Sequence, residues 1–144
     1  MIFKKSLRAI FLVVCSLCLM SFTVVIDAGH GGNDAGAIGL VKGVKEKDLN
    51  LNVAQRLATK IRQQYPEVKV VMTRDTDVFL PLQQRADIAN KNHADLFISI
   101  HTNAAENRNA QGAETFILGT DRMEDNLDVA MRENAVMKLE ADYQ

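Results

Sequence analysis

The apolar positions of this chain follow two rhythms that alternate along it. Residues 22–26 form a short, almost wholly apolar run, which suits a strand buried on both faces. A glycine-rich stretch follows. From residue 47 to about 64 the period turns helical, with Leu49, Val53, Leu57 and Ile61 on one row and Ala54, Ala58 and Ile61 on the neighbouring one. Tyr65 and Pro66 end that helix, and residues 68–73 give a second short apolar strand. Behind Pro81, which a first helical turn tolerates, Leu82, Arg85, Ala86 and Ala89 recur at helical spacing and predict a second helix to about residue 92. Residues 96–100 read as a third strand ending on His101, residues 113–118 as a fourth, and residues 125–139 as a third helix with Leu127, Ala130, Met131 and Ala135 on one side. Strands alternating with long helices predict an α/β fold with a largely parallel sheet and helices on both faces.

Composition narrows this picture. The 144 residues are one domain's worth, and 47% hydrophobic content is enough to bury a core. Seventeen Lys and Arg against eighteen Asp and Glu leave a formal charge of −1, with no basic run in the body of the chain and no aromatic interleaving, so nucleic acid is excluded as the expected partner. The start of the chain stands apart. Lys4, Lys5 and Arg8 precede the uncharged run 10–20, the order of a secretory signal peptide. The expected organisation is therefore a signal peptide over residues 1–21 and one domain over 22–144. Removing the first segment takes away three positive charges and no negative one, which turns −1 into −4. A buried first strand and an uncleaved anchor are the alternatives. Cys15 and Cys18 both lie in this segment, so the remaining domain has neither a disulfide nor a cysteine metal site.

The candidate chemistry centres on residues 24–39, VVIDAGHGGNDAGAIG. Gly29, Gly31 and Gly32 flank His30 and permit positive φ, so the backbone can turn sharply and leave the imidazole uncovered. In parallel α/β sheets ligands bind beyond the carboxyl ends of the strands. His30 follows the first strand and His101 ends the third, which puts both at that rim. Glu46 precedes Leu49 by three residues and Val53 by seven, so it extends the helix's inward row toward the same rim. Histidine, glutamate and histidine with an open position is a catalytic zinc set. Taken singly, each has a plainer reading: a glutamate complementing a helix dipole, a histidine hydrogen-bonded or exposed at a strand end. Two histidines and a carboxylate also make an iron(II) facial triad, but the alternating layer pattern speaks against the scaffold such triads use. His93 reads as a surface residue near a helix end. Asp27 either orients a histidine or fixes the loop backbone. Arg74, Asp75 and Asp77 read as a turn with internal ion pairs, Arg85 as structural, and Glu114 as a strand-edge residue.

Ordered blocks make the signal specific. VVIDAGHGGNDAGAIG, KEKDLNLNVAQRLA, VMTRDTDVFLPLQQRADIANKNHADLFISIHTNAA and GAETFIL resemble successive blocks of the zinc-dependent N-acetylmuramoyl-L-alanine amidases of the type 3 amidase family, over about residues 23–118, and the segment MRENAV is similar too. The resemblance implies an α/β domain that cuts the amide between N-acetylmuramic acid and L-alanine in peptidoglycan. It also implies that His30, Glu46 and His101 hold Zn2+. It places the general-base glutamate in a late strand, which no block here matches; Glu133 and Glu140 lack that local sequence. The expectation is thus a sheet incomplete at the C-terminus, with the base expected beyond Gln144. Export to the periplasm or cell envelope fits such a substrate, with a regulatory envelope protein as a further partner. The alternative is a non-catalytic module that binds peptidoglycan or a partner and keeps a residual metal site.

Overall fold

The computed structural model describes residues 21–103, 109–117, 131 and 133–140. The expected signal peptide up to residue 20, both cysteines, and residues 125–130 and 132 of the expected third helix lie outside these residues. β1 (Thr23–Ala28), β2 (Lys69–Met72) and β3 (Leu96–Ile100) alternate with α1 (Glu46–Gln64) and α2 (Leu82–Lys91), as the two rhythms predict. Both strand pairings of the described sheet are parallel, and the strand order is β2-β1-β3. None of the described helices is long and apolar enough to cross a membrane.

That order decides where each helix goes. The crossover through α1 carries the chain from β1 to one side, and the crossover through α2 carries it back past β1 to the other. Right-handed crossovers in opposite directions must lie on opposite faces of the sheet. The packing agrees: Val24, Ile26 and Ala28 of β1 form a buried cluster with Ala54 and Ala58 of α1, while Asp27, on the opposite pleat, meets Arg85 of α2. β1 is buried along its whole length because both faces and both edges are covered. The reversal of direction also makes the carboxyl ends of β1 and β3 a topological switch point, where a crevice opens.

Three details differ from the sequence expectation. Of the two rows read for α1, the one through Ala54 and Ala58 is buried, continued by Asn50 and Glu46, while Leu49 and Val53 of the other are 42% and 49% exposed. The small alanines let the helix axis approach the sheet, and the larger side chains Leu51, Leu57 and Ile61 fill the flanks. Glu46 still points inward, but as a member of the i, i+4 row through Asn50. Second, residues 113–117 form no strand, and Phe116 and Ile117 are 46% and 78% exposed. An extended apolar run makes a ladder only where a neighbouring strand offers its N–H and C=O groups. Third, the described end of the third helix is tightened into a 3-10 helix, Asn134–Leu139, a common ending for a helix. It is tied to the rest by the Glu140 carboxylate, which accepts from the N–H of Leu82 (2.8 Å) at the start of α2.

Candidate metal centre

The loop after β1 turns through a run of left-handed backbone, with φ of 62° at His30, 133° at Gly31 and 58° at Gly32. His30 itself thus carries a conformation that favours glycine, and its surroundings must hold it there. Two buried arginines do so. Arg85 donates to the carbonyls of Ala28 and His30, both at 2.9 Å, and to Asp27 Oδ1 at 2.8 Å. Arg74 donates to the carbonyls of Ala28 (2.8 Å), Gly29 (2.9 Å) and Lys47 (2.8 Å). Arg85 is structural, as the sequence suggests. Arg74 is turned inward and is not part of a surface turn; its pKa is lowered by burial and by the nearby Arg85. Asp77 pairs with Lys47 of α1 (2.6 Å) and not within its own turn.

Gly29 is required for a different reason from the one its neighbours suggest. Its φ is not positive, but a Cβ there would run into the ring of His101. The first histidine's loop and the second histidine's ring therefore pack directly against each other. The two imidazoles meet edge to face, with centroids 4.9 Å apart and planes at 79°.

Into this gap point four side chains: His30, Glu46, His101 and Glu133, whose ligand atoms all lie within 4.8 Å of one another. Glu46 Oε1 stands 3.3 Å from His30 Nε2 and 3.2 Å from His101 Nδ1. Glu133 Oε2 stands 3.4 Å and 2.8 Å from the same two nitrogens. Donors about 2.0–2.1 Å from a tetrahedral zinc are about 3.4 Å from each other, so three of these four separations match the edge of such a shell and the fourth is a hydrogen bond. His30 Nε2 and Glu133 Oε1 are buried with no hydrogen-bond partner among the described residues. Buried polar atoms are seldom left so. The donor set, its spacing and these unpartnered atoms fit a divalent metal of the zinc type.

The groups around the cluster fix its protonation. Asp34 Oδ2 lies 2.7 Å from His30 Nδ1, so the proton sits on Nδ1 and Nε2 faces the gap. Asp34, and not Asp27, orients this histidine; Asp27 is taken up by Thr73, Arg85 and Ser99 (2.6, 2.8 and 2.8 Å). Burial alone would lower His30, but the carboxylates of Glu133, Glu46 and Asp34 outweigh it and raise the imidazole to about 10. His101 goes to about 9 in the same way, burial being outweighed by Glu133 and Glu46. Burial would raise both glutamates, yet His101 and His30 hold Glu133 down to about 2. The same imidazoles, with the N–H groups of Ala37 and Thr102, hold Glu46 far below the usual carboxylate range. Without a metal this is two imidazolium ions locked to two carboxylates.

The sequence points to His30, Glu46 and His101, and the fold brings them together. It passes over Glu133, set aside as the general base for want of matching local sequence, and Asp34, a polar residue of the glycine-rich stretch. The His30-to-Asp34 spacing of four residues inside a turning loop is the one signal that could have found the second. The first lies in the segment MRENAV, whose likeness to the family is the local signal for it, although its reach to the site is set only by the fold. His93 is exposed, with φ of 50° next to the end of α2, and has no part in the cluster.

A parallel α/β layer thus gathers two histidines and two carboxylates at its switch point, a donor set that could hold a metal ion. A sequence profile of the N-acetylmuramoyl-L-alanine amidase family matches residues 24–142, and the chain belongs to that family. It is 45% identical over 97 residues to N-acetylmuramoyl-L-alanine amidase AmiC of Escherichia coli O6:H1, covering 67% of this chain and 23% of that protein. It is also 45% identical over 97 residues to the endolysin of Bacillus phage SPP1, covering 67% of this chain and 34% of the relative. Among solved structures it superimposes on the catalytic domain of CwlV, an N-acetylmuramoyl-L-alanine amidase from Bacillus (Paenibacillus) polymyxa var. colistinus, with TM-score 0.58 and 42% identity over 62% of this chain and 49% of that one. AmiC2 of Nostoc punctiforme is similar, with TM-score 0.56 and 46% identity over 61% and 47%. The chain thus spans less than half the length of each of these proteins.

Proposed function

We propose that this chain acts in the hydrolysis of the amide between N-acetylmuramic acid and L-alanine in peptidoglycan, with Zn2+ held by His30 Nε2, Glu46 Oε1 and His101 Nδ1. The observation that carries the reading is the convergence of these three atoms in a family member's switch-point crevice. Zinc bound there would polarise the scissile carbonyl and lower the pKa of a bound water to about 7. The chain's own residues do the rest. Asp34 keeps His30 in the tautomer whose Nε2 can donate electrons, and the N–H groups of Ala37 and Thr102 keep Glu46 ionised.

Glu133 is the fourth donor of the described arrangement. Catalytic zinc keeps three protein ligands and leaves one position for water, and Glu133 would occupy that position in this arrangement. Proton transfer to the leaving amine needs a further carboxylate, a role that the family resemblance gives to a glutamate of a late strand. Peptidoglycan as substrate calls for export, with residues 1–21 as the signal peptide and the periplasm or cell envelope as destination. A regulatory envelope protein that shifts Glu133 would be the matching partner.

The test is to measure the metal content of the purified chain and the release of stem peptides from purified sacculi, for the wild type and for His30→Ala, Glu46→Ala and His101→Ala. About one equivalent of zinc, lost in each variant, is the expected result. Zinc well below one equivalent, or unaffected by His30→Ala, removes the ligand assignment.

A further inference from the structure

Asn50 lies one helical turn beyond Glu46, at the centre of the site and fully buried, with 0% exposure. A buried primary amide has two donor hydrogens and an acceptor oxygen to satisfy, and it is costly unless all find partners. Here they do, and each partner belongs to a different metal-facing segment. The Nδ2 group donates to Glu46 Oε1 and to the carbonyl of Gly29, both at 3.3 Å. The Oδ1 atom accepts from the hydroxyl of Thr102 at 2.6 Å. Gly29 precedes His30 and Thr102 follows His101. One side chain therefore ties the loop after β1, the start of α1 and the loop after β3.

We infer that Asn50, working with Thr102, is the positioning residue of the metal centre: it selects Glu46 Oε1 as the atom facing both histidines and locks the three ligand-bearing segments in register. The inference rests on the metal-binding reading of the site. The selection has a physical cause. Glu46 Oε2 is held by the N–H of Ala37 at 2.9 Å, and Oε1 by Asn50 and by the N–H of Thr102 at 2.8 Å, so the carboxylate cannot rotate without breaking bonds on both oxygens. Aspartate at position 50 could not donate and would set a second negative charge against Glu46. Leucine would fill the volume but leave Thr102 Oγ1 without its partner and remove a donor from Gly29. Removing partners of this kind typically weakens metal binding about 10- to 100-fold.

The experiment measures zinc affinity of the 144-residue chain by competition with a chromophoric chelator, and the visible absorption of the cobalt(II) form. Asn50→Ala is expected to weaken zinc at least about tenfold and to alter the cobalt spectrum. Asn50 is in the core, so the exposed Thr102 supplies a second arm that does not disturb it. Thr102→Val keeps the shape and loses the hydroxyl; it is expected to weaken zinc severalfold and move the cobalt bands. Thr102→Ser restores both, an outcome that a merely structural role does not produce. Zinc affinity within about twofold of wild type in Thr102→Val, or Thr102→Ser no better than Thr102→Val, overturns the inference while the ligand assignment stands. A wild-type chain that binds no metal removes the assignment itself and the inference with it.

Discussion

At the scale of single residues, the site is held by groups outside the four-residue cluster. His30 sits at φ 62°, a conformation the two arginines and Asp34 enforce from three directions. Asp34→Ala frees the imidazole to flip and to change tautomer, so zinc affinity should fall by about tenfold or more, measured by chelator competition, with little change in melting temperature. Gly29→Ala should be worse. Its Cβ would meet the ring of His101, and relief requires moving that ligand. Loss of stoichiometric zinc in an otherwise folded Gly29→Ala chain, read by metal analysis and circular dichroism, is the expected outcome. Both histidines and Glu46 were legible in the sequence, because strand ends and a helix start place them by topology. Asp34 and Asn50 were not. Their roles depend on which carbonyl or nitrogen comes within reach, and periodicity carries no information on that.

At the scale of elements, α1 sets the position of the site. Its buried row is Glu46, Asn50, Ala54 and Ala58, polar at the rim and small in the core. Hydrophobicity alone favours the row through Leu49 and Val53, and the sequence reading named it beside the row through Ala54 and Ala58. Packing chose the other, since only alanines let the helix lie close enough for Glu46 and Asn50 to reach the loops after β1 and β3. Ala58→Leu should therefore overpack the α1–β1 contact and cost about 1–3 kcal/mol. Val53→Ala, at a half-exposed position, should cost well under about 1 kcal/mol. Urea denaturation of the two variants distinguishes the rows; a larger loss for Val53→Ala would restore the row read from hydrophobicity.

At the scale of the whole molecule, metal and proton compete for one cluster. In the metal-free chain His30 and His101 are raised from 6.5 to about 10 and about 9. Raised groups contribute stability that is complete below the unfolded value and lost as pH climbs through the folded one. Glu133 and Glu46 are lowered, and their contribution is complete above 4.5 and lost on acidification, that of Glu133 as pH falls through about 2. The metal-free melting temperature should accordingly be highest near pH 4.5–6.5 and decline toward pH 10. Zinc binding must displace the imidazole protons, so its apparent affinity should rise between about pH 6 and 9. Thermal melts with and without chelator across that range check both; a metal-free melting temperature that rises from pH 6.5 to 9 contradicts the described ion pairs. Zinc at saturating concentration should raise the melting temperature, because it binds the folded cluster and not the dispersed chain.

The sequence by itself determined the alternation of strands and helices, the parallel sheet, and the rim on which His30, Glu46 and His101 would meet. These follow from periodicity and chain direction, which are local properties. Only the tertiary structure decided which face of α1 is buried, that residues 113–117 find no strand to pair with, and that Glu133 joins the cluster. Each of those depends on surfaces brought together from distant parts of the chain. Close approach through small residues, the supply of unpaired backbone groups, and the convergence of like charges on two imidazoles are properties of the assembled fold.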